Sequence, residues 1–428
     1  MITSDAALAA AAEAVLRTND LGDYTRPSPR LYPHQWNWDS AFIAVGWGHL
    51  DWLRATREVE SLLAGQWING MVPHIRYNPA VRDYTPGPEN WPGVPVRHPG
   101  ERTSGITQPP VLASAVSLLG LMQPDVDIRM TWWRRVYEPL RASVRFFPER
   151  RTAGGSPLIL VLHPWESGLD NSPRWDHLVG LGLKPSRSYR RTDTTVVQAA
   201  ERPTAADYDL YMYLVEVITG AGYELPEVLA CSPFAVYDAL FNAIWYQAAT
   251  DLNSIAAALD EPPPLPQEEL EAFREAYRRT LWSEEAQLFR DYDLQRGAQI
   301  PVDTVAGLVA IFAGLIDAGQ AAAMAARYRR RSHGCRLLPS VPPDQPGFDP
   351  ARYWRGPVWV NINWLLLRGL ERLGLREEAR ELAEETLDLV RTGGFYEYFH
   401  AHTGEGRGGQ DFSWTAALVL DLLHRPVV

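Results

Sequence analysis

The sequence predicts an all-α protein in which helix hairpins form a closed ring, with long loops over one end and little β structure. Helical periodicity recurs about a dozen times along the 428 residues, often in pairs of segments joined by short turns. Signals for β-strands are sparse, and the best candidate is the apolar run at residues 158–162. No change in composition marks a linker, so we expect one domain over residues 1–428.

The first helix is predicted at residues 5–17, where an alanine-rich stretch follows Ser4, a favourable N-cap. Acidic residues within this stretch, and the lack of a basic segment before it, argue against a secretory signal. In residues 376–391 the buried face is predicted from apolar residues at three- and four-residue spacing. The same spacing predicts helices at 39–49, 52–67, 111–122, 126–147, 206–220, 234–260, 266–281, 302–316, 319–330, 357–373 and 412–424.

Two long stretches interrupt the helical pattern. Residues 70–110 and 334–356 are rich in proline and glycine, and long ordered loops of this kind usually carry function. We expect them to form cap segments over one end of the ring. The proline run at 262–264 is interpreted as a stiff connection between two helices, not as a domain boundary.

Charge and composition disfavour several classes of function. The net charge of −11 argues against nucleic acid and anionic membranes as partners. No run reaches the roughly 18 apolar residues of a membrane span. Cys231 and Cys335 are too few for a disulfide framework, which favours a reducing cytoplasm. Phosphate-binding loops, dinucleotide fingerprints and nucleophile elbows do not occur. An oligomer stays open, because apolar surface cannot be told from core in a sequence.

The segment at residues 163–176 holds three carboxylates, two tryptophans, a histidine and an arginine. Gly168 and Pro173 prevent it from forming a regular helix. A loop this aromatic is costly to leave in water, and a loop this acidic is costly to bury without partners. A sugar ring satisfies both requirements, because its apolar face stacks on tryptophan and its hydroxyls bind carboxylates. The segment therefore predicts a sugar pocket.

Glycoside hydrolysis requires one protonated and one ionised carboxyl group on opposite sides of the scissile bond. Asp170 suits the acid, since an apolar wall formed by Trp165 and Trp175 disfavours its charged form. Two alternatives for Asp170 are a helix cap and an ion pair with Arg174. Glu397 suits the base.

Glu397 lies between Tyr396 and Tyr398, and we expect their phenols to hold its carboxylate in the ionised form. Asp39 is interpreted either as an N-cap or as a sugar contact. Glu166 and Asp176 are more typical of structural ion pairs.

No metal or cofactor is expected. The spacings of His34, His74 and His163 match no zinc motif, and no pair of histidines lies four residues apart on a predicted helix.

Five motifs occur in a fixed order along the chain. They begin at residues 33, 104, 165, 353 and 397 and are Pro-His-Gln-Trp-Asn-Trp-Asp-Ser, Ser-Gly-Ile-Thr-Gln-Pro-Pro, Trp-Glu-Ser-Gly-Leu-Asp-Asn-Ser-Pro-Arg-Trp-Asp, Tyr-Trp-Arg-Gly-Pro-Val-Trp, and Glu-Tyr followed by Thr-Gly and Ser-Trp-Thr-Ala-Ala. Together they resemble glycoside hydrolase family 63, and most closely its bacterial mannosylglycerate and glucosylglycerate hydrolases, from about residue 20 to residue 424.

The resemblance implies an (α/α)6 barrel and an inverting mechanism, with Asp170 as general acid and Glu397 as general base. It implies a sugar-binding wall and a set of glycerate contacts, with Tyr84 on a loop that closes over the substrate. The wall consists of Tyr32, Trp36, Trp38 and Asp39, the glycerate contacts are Gln108, Arg202, Tyr208, Tyr353 and Trp354, and three further aromatic candidates for substrate binding are Trp165, Trp359 and Trp414.

The implied activity is hydrolysis of 2-O-(α-D-mannopyranosyl)-D-glycerate, and of its glucosyl analogue, to a hexose and D-glycerate. Arg202 and Arg355 are candidate partners for the glycerate carboxylate, although Arg355 fits a structural ion pair equally well. The residue that contacts the sugar 2-hydroxyl stays open. One departure from the family is Phe399, where related sequences often have a second tyrosine after the base.

Three other functions remain open at this point. An α-glucosidase of the same fold would act on a neutral disaccharide or oligosaccharide. A glycoside phosphorylase would need phosphate in place of Glu397. A sugar-binding protein without catalysis would bind the same ligands and leave them intact.

Overall fold

The computed structural model describes residues 4–425. In this range the α-helices are α1 Asp5–Asn19, α2 Asn37–Gly48, α3 Trp52–Ala64, α4 Leu112–Met122, α5 Val126–Arg150, α6 Asp176–Val179, α7 Ala205–Gly220, α8 Leu225–Cys231, α9 Ala239–Ala258, α10 Gln267–Leu281, α11 Ala318–Arg331, α12 Val360–Arg372, α13 Arg376–Gly393 and α14 Ser413–His424. Between residues 4 and 425, none of the helices combines the length and apolarity that crossing a membrane requires.

The strands are short and lie between the helices. They are β1 Gln35–Trp36, β2 Ile75–Arg76, β3 Leu160–Val161, β4 Val236–Tyr237, β5 Trp282–Ser283, β6 Leu288–Phe289, β7 Tyr292–Asp293, β8 Ala298–Gln299, β9 Tyr396–Phe399 and β10 Gly406–Gln410. All pairs are antiparallel, and β3, β4, β7 and β8 form a four-stranded sheet in that order. The strand predicted at 158–162 is confirmed as β3, in a shorter form. The 3₁₀-helices are Pro88–Asn90, Pro164–Ser167, Pro173–Trp175, Asp193–Thr195, Ala199–Glu201, Val305–Ile311 and Tyr353–Arg355.

Six elements form a closed inner wall. Helix α2 contacts α4, α4 contacts α9, and α9 contacts the 3₁₀-helix Val305–Ile311. That 3₁₀-helix contacts α12, α12 contacts α14, and α14 returns to α2. The outer helices are α1 on α14, α3 on α2, α5 on α4, α10 on α9, α11 on the 3₁₀-helix and α13 on α12. The predicted (α/α)6 ring of helix hairpins is therefore confirmed.

The burial of each helix explains whether it belongs to the inner or the outer ring. In α2 every residue from Asn37 to Trp47 is buried, and the same holds in α14 from Ser413 to Leu422. A helix that is apolar on all sides is stable only when protein surrounds it. Outer helix α13 instead buries one face and exposes its acidic and arginine side chains, as its periodicity predicts.

One predicted helix is wrong. Residues 302–316 form the 3₁₀-helix Val305–Ile311 instead of an α-helix. Here the chain passes directly over β6, and a Cβ atom at Gly307 would lie 2.2 Å from the carbonyl oxygen of Phe289. From the other side, a Cβ atom at Gly369 would lie 2.4 Å from the carbonyl oxygen of Ile311. Such close packing of backbones, together with the low helix propensity of glycine, explains the irregular element.

Two further differences concern helix starts and missed helices. Helix α9 begins at Ala239, later than predicted, because Val236 and Tyr237 pair with neighbouring strands. The short helices α6 and α8 were not predicted. The remaining predicted helices agree with the structure to within a few residues.

The loop that follows β3 is held by buried ion pairs. Glu166 accepts hydrogen bonds from both terminal nitrogens of Arg151, at 2.9 and 3.0 Å, and from the backbone N–H of Leu162 at 2.7 Å. Its structural role is thereby confirmed. Arg174 pairs with Asp238 and Asp291, so the alternative of an Arg174–Asp170 pair is wrong.

We predict that Glu166→Gln lowers the free energy of unfolding by about 3–5 kcal/mol, because Arg151 then keeps a buried charge without a counter-charge. The matched control is Asp176→Asn, in the same segment. Asp176 forms a two-fold ion pair with Arg355 but is 49% exposed. We expect that variant to lose about 1 kcal/mol or less. Urea denaturation followed by tryptophan fluorescence measures both, and equal losses would contradict this account.

Candidate active site

One pocket opens where four inner helices begin. Residues at or just before the N-terminal ends of α2, α4, α12 and α14 line it, and both predicted cap segments, 70–110 and 334–356, contribute to it. The lining residues are Tyr32, Trp36, Trp38, Asp39, His74, Ile75, Tyr84, Thr85, Pro86, Gln108, Trp165, Gly168, Asp170, Arg202, Tyr208, Tyr353, Trp354, Glu397, Phe412 and Trp414. The fold thus brings together all of the predicted site residues except Trp359.

Asp170 faces this pocket and is enclosed by protein on its other sides. Burial raises the pKa of its carboxyl to about 8, with Arg202 lowering it and the charge of Glu397 raising it further. Because this pKa lies above neutrality, the group keeps its proton at pH 7. Asp170 is therefore a carboxylic acid that can donate a proton.

Glu397 lies on β9 and is held by donors from three separate segments. The hydroxyl of Tyr32 donates to Oε1 at 2.7 Å, the N–H of Gly409 donates to Oε2 at 2.9 Å, and Nη1 of Arg202 lies 3.5 Å from Oε1. Burial raises the pKa of Glu397, whereas these three donors lower it because they stabilise the ionised form. The arrangement is that of a carboxylate prepared to accept a proton.

The expectation that Tyr396 and Tyr398 hold this carboxylate is wrong. Alternate side chains of a strand point to opposite faces, so both phenols point away from Glu397. The hydroxyl of Tyr398 donates to the backbone oxygen of Glu201 at 2.7 Å, and Tyr396 lines a different cavity. Sequence reasoning missed all three donors to Glu397, since Tyr32 and Arg202 were predicted only as substrate contacts and Gly409 was not selected.

Asp39 is a third carboxyl group in the pocket. It lies in the first turn of α2, whose N-cap is Trp36, so the interpretation as an N-cap is wrong. Burial raises the pKa of Asp39 well above its usual value, and the charges of Glu397 and Asp170 raise it further. A protonated Asp39 can donate a hydrogen bond to a ligand hydroxyl as well as accept one.

The two candidate arginines are in different surroundings. Arg202 lines the pocket, with Nε 3.3 Å from Oδ2 of Asp193 and its guanidinium 4.3 Å from the ring centre of Tyr353. Arg355 instead pairs with Asp176 outside the pocket lining, so its interpretation as an anion contact is wrong. Asp176 is thereby confirmed as structural.

Trp359 supports the aromatic wall from behind. It is buried and stacks on Trp354 with the ring centres 3.5 Å apart and the planes at 4°. Its indole N–H donates to the backbone oxygen of Tyr353 at 3.2 Å. The structure therefore places Trp359 behind Trp354 and outside the pocket lining.

The indole N–H of Trp414 is a donor without an internal acceptor. It lines the pocket and is buried without a hydrogen-bond partner among the described residues. Buried donors are normally satisfied, so this one is available to a ligand.

The pocket also contains residues that sequence reasoning did not select. His74 stacks on Trp165 with ring centres 6.1 Å apart, and it was considered only as a metal candidate. Thr85 and Pro86 follow the selected Tyr84, Phe412 lies two residues before Trp414, and Gly168 belongs to the quoted Asp170 motif, and this proximity is the signal that could have found them. Ile75 had no such signal. Burial lowers the pKa of His34, His74 and His163 to about 3, so all three are neutral at pH 7. In the part of the chain that is described, no three His, Cys, Asp or Glu side chains form a cluster suited to a metal ion.

The family departure at Phe399 does not alter the pocket. The backbone of Phe399 exchanges hydrogen bonds with Val358 at 2.8 and 2.9 Å, and its buried ring lies against Gly393. Phe399 is not among the residues that line the pocket.

Comparison with known proteins gives consistent results over nearly the whole chain. Residues 32–415 match the family described as the mannosylglycerate hydrolase MGH1-like glycoside hydrolase domain. The chain is 42% identical to a mannosylglycerate hydrolase of Thermus thermophilus, over 95% of this chain and 98% of that protein. It is 34% identical to a glucosylglycerate hydrolase of Mycolicibacterium hassiacum, over 97% of each.

A solved structure agrees with these relatives. The crystal structure of a GH63 mannosylglycerate hydrolase from Thermus thermophilus in complex with Tris and D-glycerate matches with a TM-score of 0.89 and 41% identity. The match covers 96% of this chain and 99% of that chain.

Proposed function

The chain belongs to the mannosylglycerate hydrolase MGH1-like family of glycoside hydrolases, and we propose that it hydrolyses 2-O-(α-D-mannopyranosyl)-D-glycerate to a hexose and D-glycerate. The glucosyl analogue is proposed as a second substrate, since one relative is a glucosylglycerate hydrolase. The observation that carries the mechanism is the presence of a protonated Asp170 and a firmly held Glu397 in one pocket.

We propose that Asp170 is the general acid. Departure of glycerate leaves an alkoxide unless the glycosidic oxygen is protonated as the bond breaks. A carboxyl group with a pKa of about 8 supplies that proton at neutral pH. The apolar wall of Trp38, Trp165 and Trp354 in the same pocket favours this state, because it limits the hydration of the ionised carboxylate.

Glu397 is the proposed general base. It accepts a proton from a water molecule as that water attacks the anomeric carbon from the face opposite the leaving group. The donors on Glu397 fix its orientation and keep it ionised. This role of Glu397 distinguishes a hydrolase from a phosphorylase, in which phosphate takes the place of the base.

Arg202 is the proposed partner of the glycerate carboxylate. It is the one arginine among the described residues that line the pocket, and a guanidinium matches a carboxylate with paired donors. A substrate with a neutral aglycone would leave this contact unmade. The charge therefore favours a glycerate glycoside over a neutral disaccharide.

We also propose that the enzyme works in the cytoplasm as one catalytic domain. Support for a reducing compartment comes from Cys231 and Cys335, which are both free. Support for one domain comes from the hydrophobic core, a continuous cluster that runs from Leu8 to Leu422.

The substrate class is tested with a charged and a neutral substrate that differ only in the aglycone. We expect wild-type enzyme to hydrolyse mannosylglycerate with a kcat/KM about 10–100-fold above that for mannosylglycerol. A factor of this size corresponds to the loss of one charge-assisted hydrogen-bond contact with the aglycone. Arg202→Met is expected to abolish this preference, and Arg355→Met, the matched control, to keep it. Loss of the preference in the control, or its survival in Arg202→Met, would contradict the assignment.

The pH profile tests the acid. Asp170 acts when protonated, so activity should fall as the pH rises through about 8. Glu397 acts when ionised, so activity should fall at low pH, through a pKa above the usual value for glutamate.

In Asp170→Asn we expect the alkaline limb of kcat/KM to disappear and kcat to fall about 10²–10⁴-fold with little change in KM. Asp176→Asn, the same substitution six positions later, should keep the bell-shaped profile. Full turnover in Asp170→Asn would refute the role of the acid.

A further inference from the structure

The strand that faces Glu397 carries a bulge. Register in the β9–β10 hairpin pairs Arg407 with Tyr398 and Gln410 with Tyr396, which leaves Gly408 and Gly409 opposite Glu397. This bulge allows the N–H of Gly409 to donate to Oε2 of Glu397 at 2.9 Å, because it turns the backbone N–H out of the ladder. The position of the base thus depends on the conformation of two glycines.

The bulge approaches the base as closely as a backbone can. Gly408 has φ +72°, and a Cβ atom there would lie 2.4 Å from Oε2 of Glu397. Both the left-handed conformation and the lack of space require glycine. Glycine is also the most flexible residue, so the bulge needs an external contact to keep one conformation.

That contact comes from Glu201. Its Oε1 accepts from Nη1 of Arg407 at 2.8 Å, its Oε2 accepts from the N–H of Gly408 at 3.3 Å, and its backbone oxygen accepts from Tyr398 at 2.7 Å. Glu201 is only 8% exposed. A cavity of about 310 Å³, lined by Glu201, Tyr396 and residues 407–411, borders the bulge on the side away from Glu397. The contacts with Glu201 therefore support the bulge on that side.

Glu201 directly precedes Arg202, whose side chain reaches the other oxygen of the base. One dipeptide thus acts on both oxygens of Glu397, on Oε1 through the guanidinium and on Oε2 through the bulge. We propose that Glu201 is a positioning residue for the base: its carboxylate fixes the bulge at residues 407–409 so that the N–H of Gly409 points at Glu397. This inference rests on the proposed role of Glu397.

The test is Glu201→Ala, measured as a full pH profile of kcat and KM with mannosylglycerate. We expect kcat to fall about tenfold and KM to stay within about twofold, because the change acts on the base and not on substrate binding. The pKa of the acid limb should rise by about one unit, because the ionised Glu397 loses a donor. The alkaline limb should stay in place. A merely structural loss of stability would lower the melting temperature without moving the acid limb.

Glu405→Ala is the matched control. Glu405 is the other carboxylate on Arg407, with Nη2 at 2.6 Å, but it is 63% exposed and touches neither glycine of the bulge. It should leave kcat and both limbs of the pH profile unchanged.

If Glu201→Ala fails to fold, Glu201→Gln replaces it. The acid limb is then expected to shift in the same direction but by less, because the amide oxygen still accepts from the N–H of Gly408 while the ion pair with Arg407 is lost. Gly408→Ala tests the bulge itself and should lower kcat with a displaced acid limb.

An acid limb at the wild-type pH in a folded Glu201 variant overturns the inference, and so does an equal shift in Glu405→Ala. A wild-type enzyme that hydrolyses neither glycerate glycoside would instead overturn the proposed function. The two failures are therefore distinguishable.

Discussion

In the part of the chain that the structure describes, three carboxyl groups share one buried pocket with a single guanidinium, and this constraint shapes the protonation states of the site. Ionisation of all three is disfavoured, since burial raises the pKa of each, the charge of Glu397 raises the pKa of Asp39 and of Asp170, and the charge of Asp170 raises the pKa of Asp39. The hydrogen-bond donors are concentrated on Glu397, which accepts from Tyr32, Gly409 and Arg202. Ionisation therefore costs least at Glu397, while Asp170, with a pKa of about 8, keeps its proton at pH 7. An acid and a base result from the same desolvation, because most of the donors that stabilise an ionised carboxylate are gathered at Glu397.

The fold creates this asymmetry through the ends of its inner helices. Asp39 lies in the first turn of α2, while Asp170 and Glu397 lie on connections that enter the ring from outside it. The loop of Asp170 is fixed by the buried pair of Arg151 and Glu166, and the hairpin of Glu397 contacts the segment at 201–202. Each carboxyl group is thus positioned by a different part of the chain. The closed wall of helices provides the rigid frame that keeps these parts in register.

Much of this arrangement follows from the sequence, for physical reasons that are local. Helices that are apolar on all sides predict the inner wall, and a one-sided pattern such as that of α13 predicts the outer ring. The tryptophan-rich loop around Asp170 predicts an apolar wall, because tryptophan side chains are costly to leave exposed to water. The sequence does not show which side chains from distant segments contact each other. Tyr32 and Glu397 meet only after the ring has closed, and nothing near Arg355 indicates that Asp176 neutralises it. The 3₁₀-helix Val305–Ile311 likewise depends on backbones packed against it from β6 and α12.

A change of leaving group tests the division of labour between the two carboxyl groups most directly. Fluoride departs without protonation, so α-mannosyl fluoride requires the base but not the acid. The account predicts that Asp170→Asn hydrolyses α-mannosyl fluoride at close to the wild-type rate while losing mannosylglycerate, and that Glu397→Gln loses both substrates. An Asp170→Asn enzyme that is inactive on the fluoride, or a Glu397→Gln enzyme that remains active on it, would contradict the assignment of acid and base.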